Sequence, residues 1–145
     1  GLAQAQLMLG LMYRNGRGVT QDDYEAVRLY RKAAEQGEKY AQFNLGIVYE
    51  KGQGVDKNDA TAFEYFKKAA DKKNGYAAYA YARMCSDRGD IENTKAYFYK
   101  AAYEKPELGF CIGLWYYYDL GDKQMGKDYL KPRPLLNPKN ALYQP

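Results

Sequence analysis

The chain has 145 residues, 46% apolar and 28% charged, which suits one soluble globular domain with a core of its own. It contains no histidine and two cysteines, Cys85 and Cys111. That removes His-based acid–base catalysis, Ser-His-Asp and Cys-His arrangements, and most zinc sites. Of the net charge of +4, three units belong to Lys131, Arg133 and Lys139 in a terminal stretch without acids, so the nearly neutral body lacks a nucleic-acid binder's basic face.

Carboxylate or lysine chemistry stays open on these grounds. No apolar run approaches the ~18 to 20 residues that span a bilayer, and no signal peptide is visible. The chain opens on Gly1 almost directly into patterned sequence, as expected of a fragment with a cloning remnant.

The first patterned stretch, "AQLMLGLMYRNGRGV" from Ala5, reads as a helix with Leu9, Gly10 and Tyr13 on one face. Leu7 and Leu11 fall on roughly the opposite side. Gly10 costs about 1 kcal/mol relative to alanine in an isolated helix, so its presence predicts a second helix crossing there. A loop with Gly16 and Gly18 follows, then a second helix over 23–35 with Asp22 or Asp23 as its N-cap.

The same text returns 36 residues later as "AQFNLGIVYEKGQGV" from Ala41. The register continues with Asp59 over Asp23, Ala62 over Ala26, Phe66 over Tyr30, and a second "KAA" at Lys68–Ala70. Similarity held over this length is a duplication of one structural unit, a helix, a connection and a second helix. Asn58 or Asp59 stands at the N-cap of the repeated second helix, and Gly46 repeats Gly10.

A third copy runs from Ala77 as "AAYAYARMCSDRGD" and continues as "TKAYFYKAA" at Thr94–Ala102, where the offset falls to 32. A fourth begins near Gly109 as "GFCIGLWYYYDLGD", and its second half stops at Pro132. Beyond it, "KPRPLLNPKNALYQP" holds four of the five prolines and cannot be regularly helical. It reads either as a linker or as an extended segment laid along the body by Leu135, Leu136 and Tyr143.

The glycine loops invite a phosphate-binding reading. Neither the Gly-x4-Gly-Lys-Ser/Thr frame nor Gly-x-Gly-x-x-Gly is present, and a helix rather than a strand precedes them. The structural reading makes Gly16 and Gly52 helix-ending residues with positive φ, while Gly18 and Gly54 bend the link and Val19 and Val55 return to the core.

A 36-residue helical hairpin patterned "LG..Y..G.GV...D...A......KAA" closely resembles the Sel1-like repeat (SLR) family, relatives of tetratricopeptide repeats. The resemblance implies an all-α fold, a right-handed α-solenoid of about four stacked antiparallel helix pairs. The units are placed at 3–38, 39–74, 75–106 and 107–131, with a Pro-rich tail at 132–145. It further implies a protein-interaction scaffold or adaptor, not a catalyst, with no cofactor, no metal and no nucleic-acid partner. The expected partner is another protein or a peptide, and the repeat ends offer a route to self-association.

In tetratricopeptide-type arrays one side of each first helix faces a concave groove. Carried onto this chain, that side holds Leu7, Leu11, Phe43, Ile47, Tyr79, Arg83, Trp115 and Tyr118, the expected partner-binding residues, and Cys111 falls on the same side. The competing reading packs these residues against neighbouring helices. Arg83 has Asp87 four residues on as an ion-pair partner, and the helical setting of "WYYYD" at Trp115–Asp119 favours packing over base stacking.

Cys85 and Cys111 are expected on different helix faces, with an axial offset of about 9 Å in repeat register, which disfavours a bridge. A secreted, cysteine-rich branch of the family pairs two cysteines within each repeat, and β-lactam binding or hydrolysis has been attributed to it. This chain lacks that pattern. The activity is therefore not carried over from that branch, and cell-wall or β-lactam chemistry and a purely structural, self-associating role are kept only as alternatives to the scaffold reading.

Overall fold

The computed structural model describes residues 1–131. The tail with Leu135, Leu136 and Tyr143 lies outside the described residues. All regular structure among the described residues is helical. The first compact unit, residues 1–74, holds α1 (Leu2–Asn15), α2 (Asp23–Glu35), α3 (Lys39–Lys51) and α4 (Asp59–Asp71). The second begins at Gly75 and holds α5 (Gly75–Asp87), α6 (Ile91–Glu104), α7 (Gly109–Leu114) and α8 (Lys123–Leu130). A 3-10 turn (Pro106–Leu108) precedes α7, and a π-helical turn (Trp115–Asp119) follows it.

Helices pack as successive hairpins, α1 on α2, α3 on α4, α5 on α6 and α7 on α8, and α2 also packs on α3. One backbone hydrogen bond recurs where a hairpin turns. The Asp22 N–H donates to the Tyr13 carbonyl at 2.9 Å, and Asn58 to Tyr49 at 2.9 Å. In the third hairpin Asp90 donates to Cys85 at 3.0 Å, although the intervening loop is four residues shorter.

The residue that donates this bond also caps the second helix. Asp22 accepts from the Glu25 N–H, Asn58 from Thr61 and Asp90 from Asn93, and α8 is capped in the same way by Asp122, which accepts from Met125. Each such cap is worth about 1 kcal/mol, because it satisfies an amide that has no carbonyl partner inside the helix.

A core cluster of the first unit has Leu7, Val27, Tyr30, Ala33, Leu45 and Val48 among its members. Tyr30 of α2 crosses α1 at Gly10, where an added Cβ would come within 2.8 Å of the Tyr30 ring. Phe66 of α4 crosses α3 at Gly46 in the same way, at 2.5 Å. Both rings are fully buried, and each stabilises the fold by on the order of 2–3 kcal/mol through area removed from water. The missing side chains let the helices approach, which outweighs the helix propensity glycine gives up.

One expectation is corrected. Leu9, placed by the pattern with Gly10 on the packing face, is partly exposed, whereas Leu7 is buried and Leu11 packs against the core cluster. The face that meets α2 is Leu7, Gly10 and Leu11, at i, i+3 and i+4. The side carrying Leu9 is left open.

The turn glycines hold left-handed backbone, with φ of 64° at Gly16, 69° at Gly52, and 74° at both Gly18 and Gly54. Their surroundings differ. A Cβ on Gly18 would meet only the Met12 methyl at 3.4 Å, but one on Gly54 would lie 2.6 Å from the Asp23 carbonyl oxygen. Gly18→Ala is therefore expected to lose about 1 kcal/mol, the cost of left-handed backbone alone. Gly54→Ala adds a backbone clash and is expected to lose about 1–3 kcal/mol more. Urea unfolding of the two variants, followed by circular dichroism, measures the difference.

Candidate functional site

α5 presents Tyr79, Arg83, Ser86 and Asp87 at positions i, i+4, i+7 and i+8, a single helix face. Opposite it, Cys111 and Leu114 of α7 and Trp115 and Asp119 of the π turn make a second stripe. With Phe98 of α6 the two stripes enclose an open cavity of about 390 Å³ in the second unit. That volume lies at the low end of ligand pockets, about 300–1,000 Å³. It has room for a group the size of one or two amino-acid side chains.

Three rings set the wall. The Phe98 ring lies 5.5 Å from that of Tyr79 and 5.2 Å, edge to face at 68°, from Trp115. Edge-to-face pairs add about 0.5–1.5 kcal/mol beyond burial. The Trp115 indole N–H donates to the Ser86 hydroxyl at 2.9 Å, which fixes the ring's rotation across the pocket. Charged groups complete the lining, two carboxylates (Asp87, Asp119) to one guanidinium (Arg83).

The π turn places two of these residues. The Leu120 N–H reaches back five residues to the Trp115 carbonyl at 3.0 Å, instead of four. Such widened turns re-aim the side chains they carry and occur frequently at functional sites. Beneath, α7 and α8 cross glycine on glycine. A Cβ on Gly113 would lie 2.9 Å from the Gly126 carbonyl, and one on Gly126 2.8 Å from the Gly113 carbonyl.

Burial raises the Tyr79 phenol above its ordinary value, Cys111 adds to the shift and Arg83 opposes it. Tyr116, stacked on Tyr129 at 5.2 Å and edge-on to Trp115 at 5.1 Å, is pushed up to about 12. Burial is the main cause and the Asp122 charge adds to it, against a hydrogen bond from Tyr129 that lowers it. Cys85 is buried and Cys111 exposed, both as free thiols. No group of three His, Cys, Asp or Glu side chains positioned to hold a metal occurs among the described residues.

Of the eight residues read from the sequence as partner-binding, Tyr79, Arg83 and Trp115 meet in this pocket. Tyr118, one turn on, is exposed outside its lining, its ring 4.9 Å from Tyr117. In the first unit, Phe43 is half-buried and tilts against Phe66 at 5.9 Å, and Ile47 is half-buried. Leu11 is half-buried against the core. Leu7 is a core residue and is withdrawn as a freely exposed contact, although it lines part of a second groove with Gln4, Ala5, Met8, Glu38 and Tyr40. Sequence reasoning missed Phe98, Leu114 and Ser86 as pocket residues and gave Asp119 no role. Phe98 had a signal, since it repeats Phe66 and Tyr30 in register.

Capped helical hairpins of about 36 residues, with aromatic side chains left at a cavity between helices, define an α-helical repeat scaffold. The Sel1 repeat model matches residues 3–38 and 39–74, and the chain belongs to the Sel1-like repeat family. That family is one of helical-repeat scaffolds commonly used in protein interaction. A Sel1 repeat protein from Oxalobacter formigenes is 32% identical over 88% of this chain, with a TM-score of 0.75. A protective antigen of uropathogenic Escherichia coli strains, displaying an SLR fold, is 33% identical over 89%, with a TM-score of 0.77. The chain spans 56% and 29% of the lengths of those two chains. No curated protein sequence matches it. None of the described helices is long and apolar enough to cross a membrane.

The Tyr116 shift has a signed consequence. Below pH 10 the phenol is protonated in both the folded and the unfolded chain. Above it the unfolded chain gives up its proton first, so the folded state binds more protons and loses stability as pH rises towards 12. The melting temperature is expected to fall across that window, and Tyr116→Phe to flatten the fall. Thermal melts of the two proteins at a series of alkaline pH values check both.

Proposed function

We propose that the protein binds a segment of another protein and takes one of its side chains into the pocket of the second unit. The observation that carries this reading is the convergence of Tyr79, Arg83, Phe98 and Trp115 on one open cavity of about 390 Å³. Scaffold repeats present such rings as anchors, because a flat aromatic wall gives contact area at small entropic cost. Two carboxylates against one guanidinium favour a ligand side chain with a positive end, lying across the Trp115 ring.

Trp115 is the only tryptophan of the chain, so its fluorescence reports on the pocket alone. Peptides selected from a displayed random library on the immobilised protein are expected to be rich in arginine, lysine and aromatic residues. They should shift Trp115 emission and lose about tenfold in affinity or more to Trp115→Ala. Asp119→Asn, which leaves the ring packing intact, should weaken the basic peptides several-fold with unchanged circular dichroism. Peptides that bind both variants as tightly as the parent would refute the pocket, and saturable turnover of a chromogenic β-lactam would refute the scaffold reading.

A further inference from the structure

The pocket of the second unit sorts its chemistry by depth. Phe98 is buried and Tyr79 and Trp115 are half-buried, whereas Arg83, Asp87 and Asp119 stand exposed along its lining. The three rings are not parallel. Tyr79 is inclined by 32° to Phe98 and Trp115 by 68°, with centroids 5.5 and 5.2 Å from that of Phe98. Their planes bound a hollow with Phe98 in the middle. The Ser86 hydroxyl oxygen beside them already accepts the Trp115 indole N–H at 2.9 Å.

This arrangement separates the cations that a protein segment can offer. A lysine ammonium brings three N–H donors and an arginine guanidinium five. Each donor that leaves water for the ring-lined interior needs an acceptor there, and burial without one is costly. A flat guanidinium also stacks on one ring face at a time. A trimethylammonium group keeps the positive charge, has no N–H to satisfy, and is round enough to touch several inclined rings at once. Its attraction to ring faces is electrostatic and grows as water is excluded. We propose, on the footing of the peptide-binding reading, that the pocket takes the trimethylated side chain of a lysine in the partner segment. Tyr79, Phe98 and Trp115 surround the cation, and Asp87 and Asp119 attract its charge.

Choline lipids carry the same cation, but there a phosphate follows the nitrogen after two carbons. That phosphate would lie among two carboxylates and one guanidinium, so the neutral stem of lysine fits the lining better.

The test titrates the full chain, at constant ionic strength, with the amides of N-acetyl-lysine, N-acetyl-arginine and trimethylated N-acetyl-lysine. A fourth ligand is the neutral analogue with carbon in place of the quaternary nitrogen, and Trp115 emission reads binding. The trimethylated amide should bind about tenfold or more tightly than each of the other three. Tyr79→Leu, which keeps apolar bulk without a ring, should narrow the preference over the neutral analogue several-fold. Equal binding of that analogue, or a preference that Tyr79→Leu leaves unchanged, overturns the proposal. Tighter binding of the lysine or arginine amide overturns it and leaves peptide binding standing. So does silence from all four ligands while library-selected peptides bind. Phosphocholine that binds as tightly as the trimethylated amide overturns it in favour of a lipid headgroup. If neither these ligands nor the selected peptides shift the emission, the peptide-binding reading falls as well.

Discussion

Each clear hairpin turns on a single bond, from the backbone N–H of the second helix's cap residue to a carbonyl in the last turn of the first. Asp22 to Tyr13, Asn58 to Tyr49 and Asp90 to Cys85 are the same contact in three repeats. It ties the end of one helix to the start of the next, and the donor's own side chain then opens the second helix. With both ends fixed, the crossing point of the pair follows. An aromatic ring of the second helix, Tyr30 or Phe66, lands where the first helix has glycine. The residues between donor and acceptor are not needed for the bond, so the third repeat discards four of them without changing the hairpin.

Much of this was legible in the sequence because repeats multiply their own signals. A lone Gly10 is an oddity, whereas Gly10 and Gly46 above Tyr30 and Phe66 describe a crossing. The capping residues were legible to within one position, with Asp22 and Asn58 chosen over their neighbours. The orientation of α1 was not. A first helix in such an array carries two apolar sides, one for its own partner and one for the preceding pair. Periodicity finds both sides without saying which is covered. Leu9 and Leu45 are therefore alike in sequence and opposite in burial.

The pocket was half legible. Tyr79, Arg83 and Trp115 follow from repeat register, and Phe98 follows from Phe66. Asp119 depends on the π turn, a one-residue widening that a helical period cannot reveal over so short a span. Ser86 matters only because the Trp115 indole N–H finds it, a pairing between residues far apart in the chain. The first two repeats, whose sequences match the family pattern best, bury much of their apolar surface in the core. The diverged α7 region, with its π turn and glycine crossing, is where an aromatic side chain, Trp115, joins Tyr79 and Phe98 at the pocket.

The two thiols divide in a useful way. Cys85 is shielded in the α5–α6 hairpin with its thiol pushed up by burial, and Cys111 stands exposed on the pocket wall. An alkylating dye has one accessible address, beside the only indole of the chain. The native sequence thus offers one attachment point for a probe and one intrinsic fluorophore on the same pocket wall, with no engineered residue.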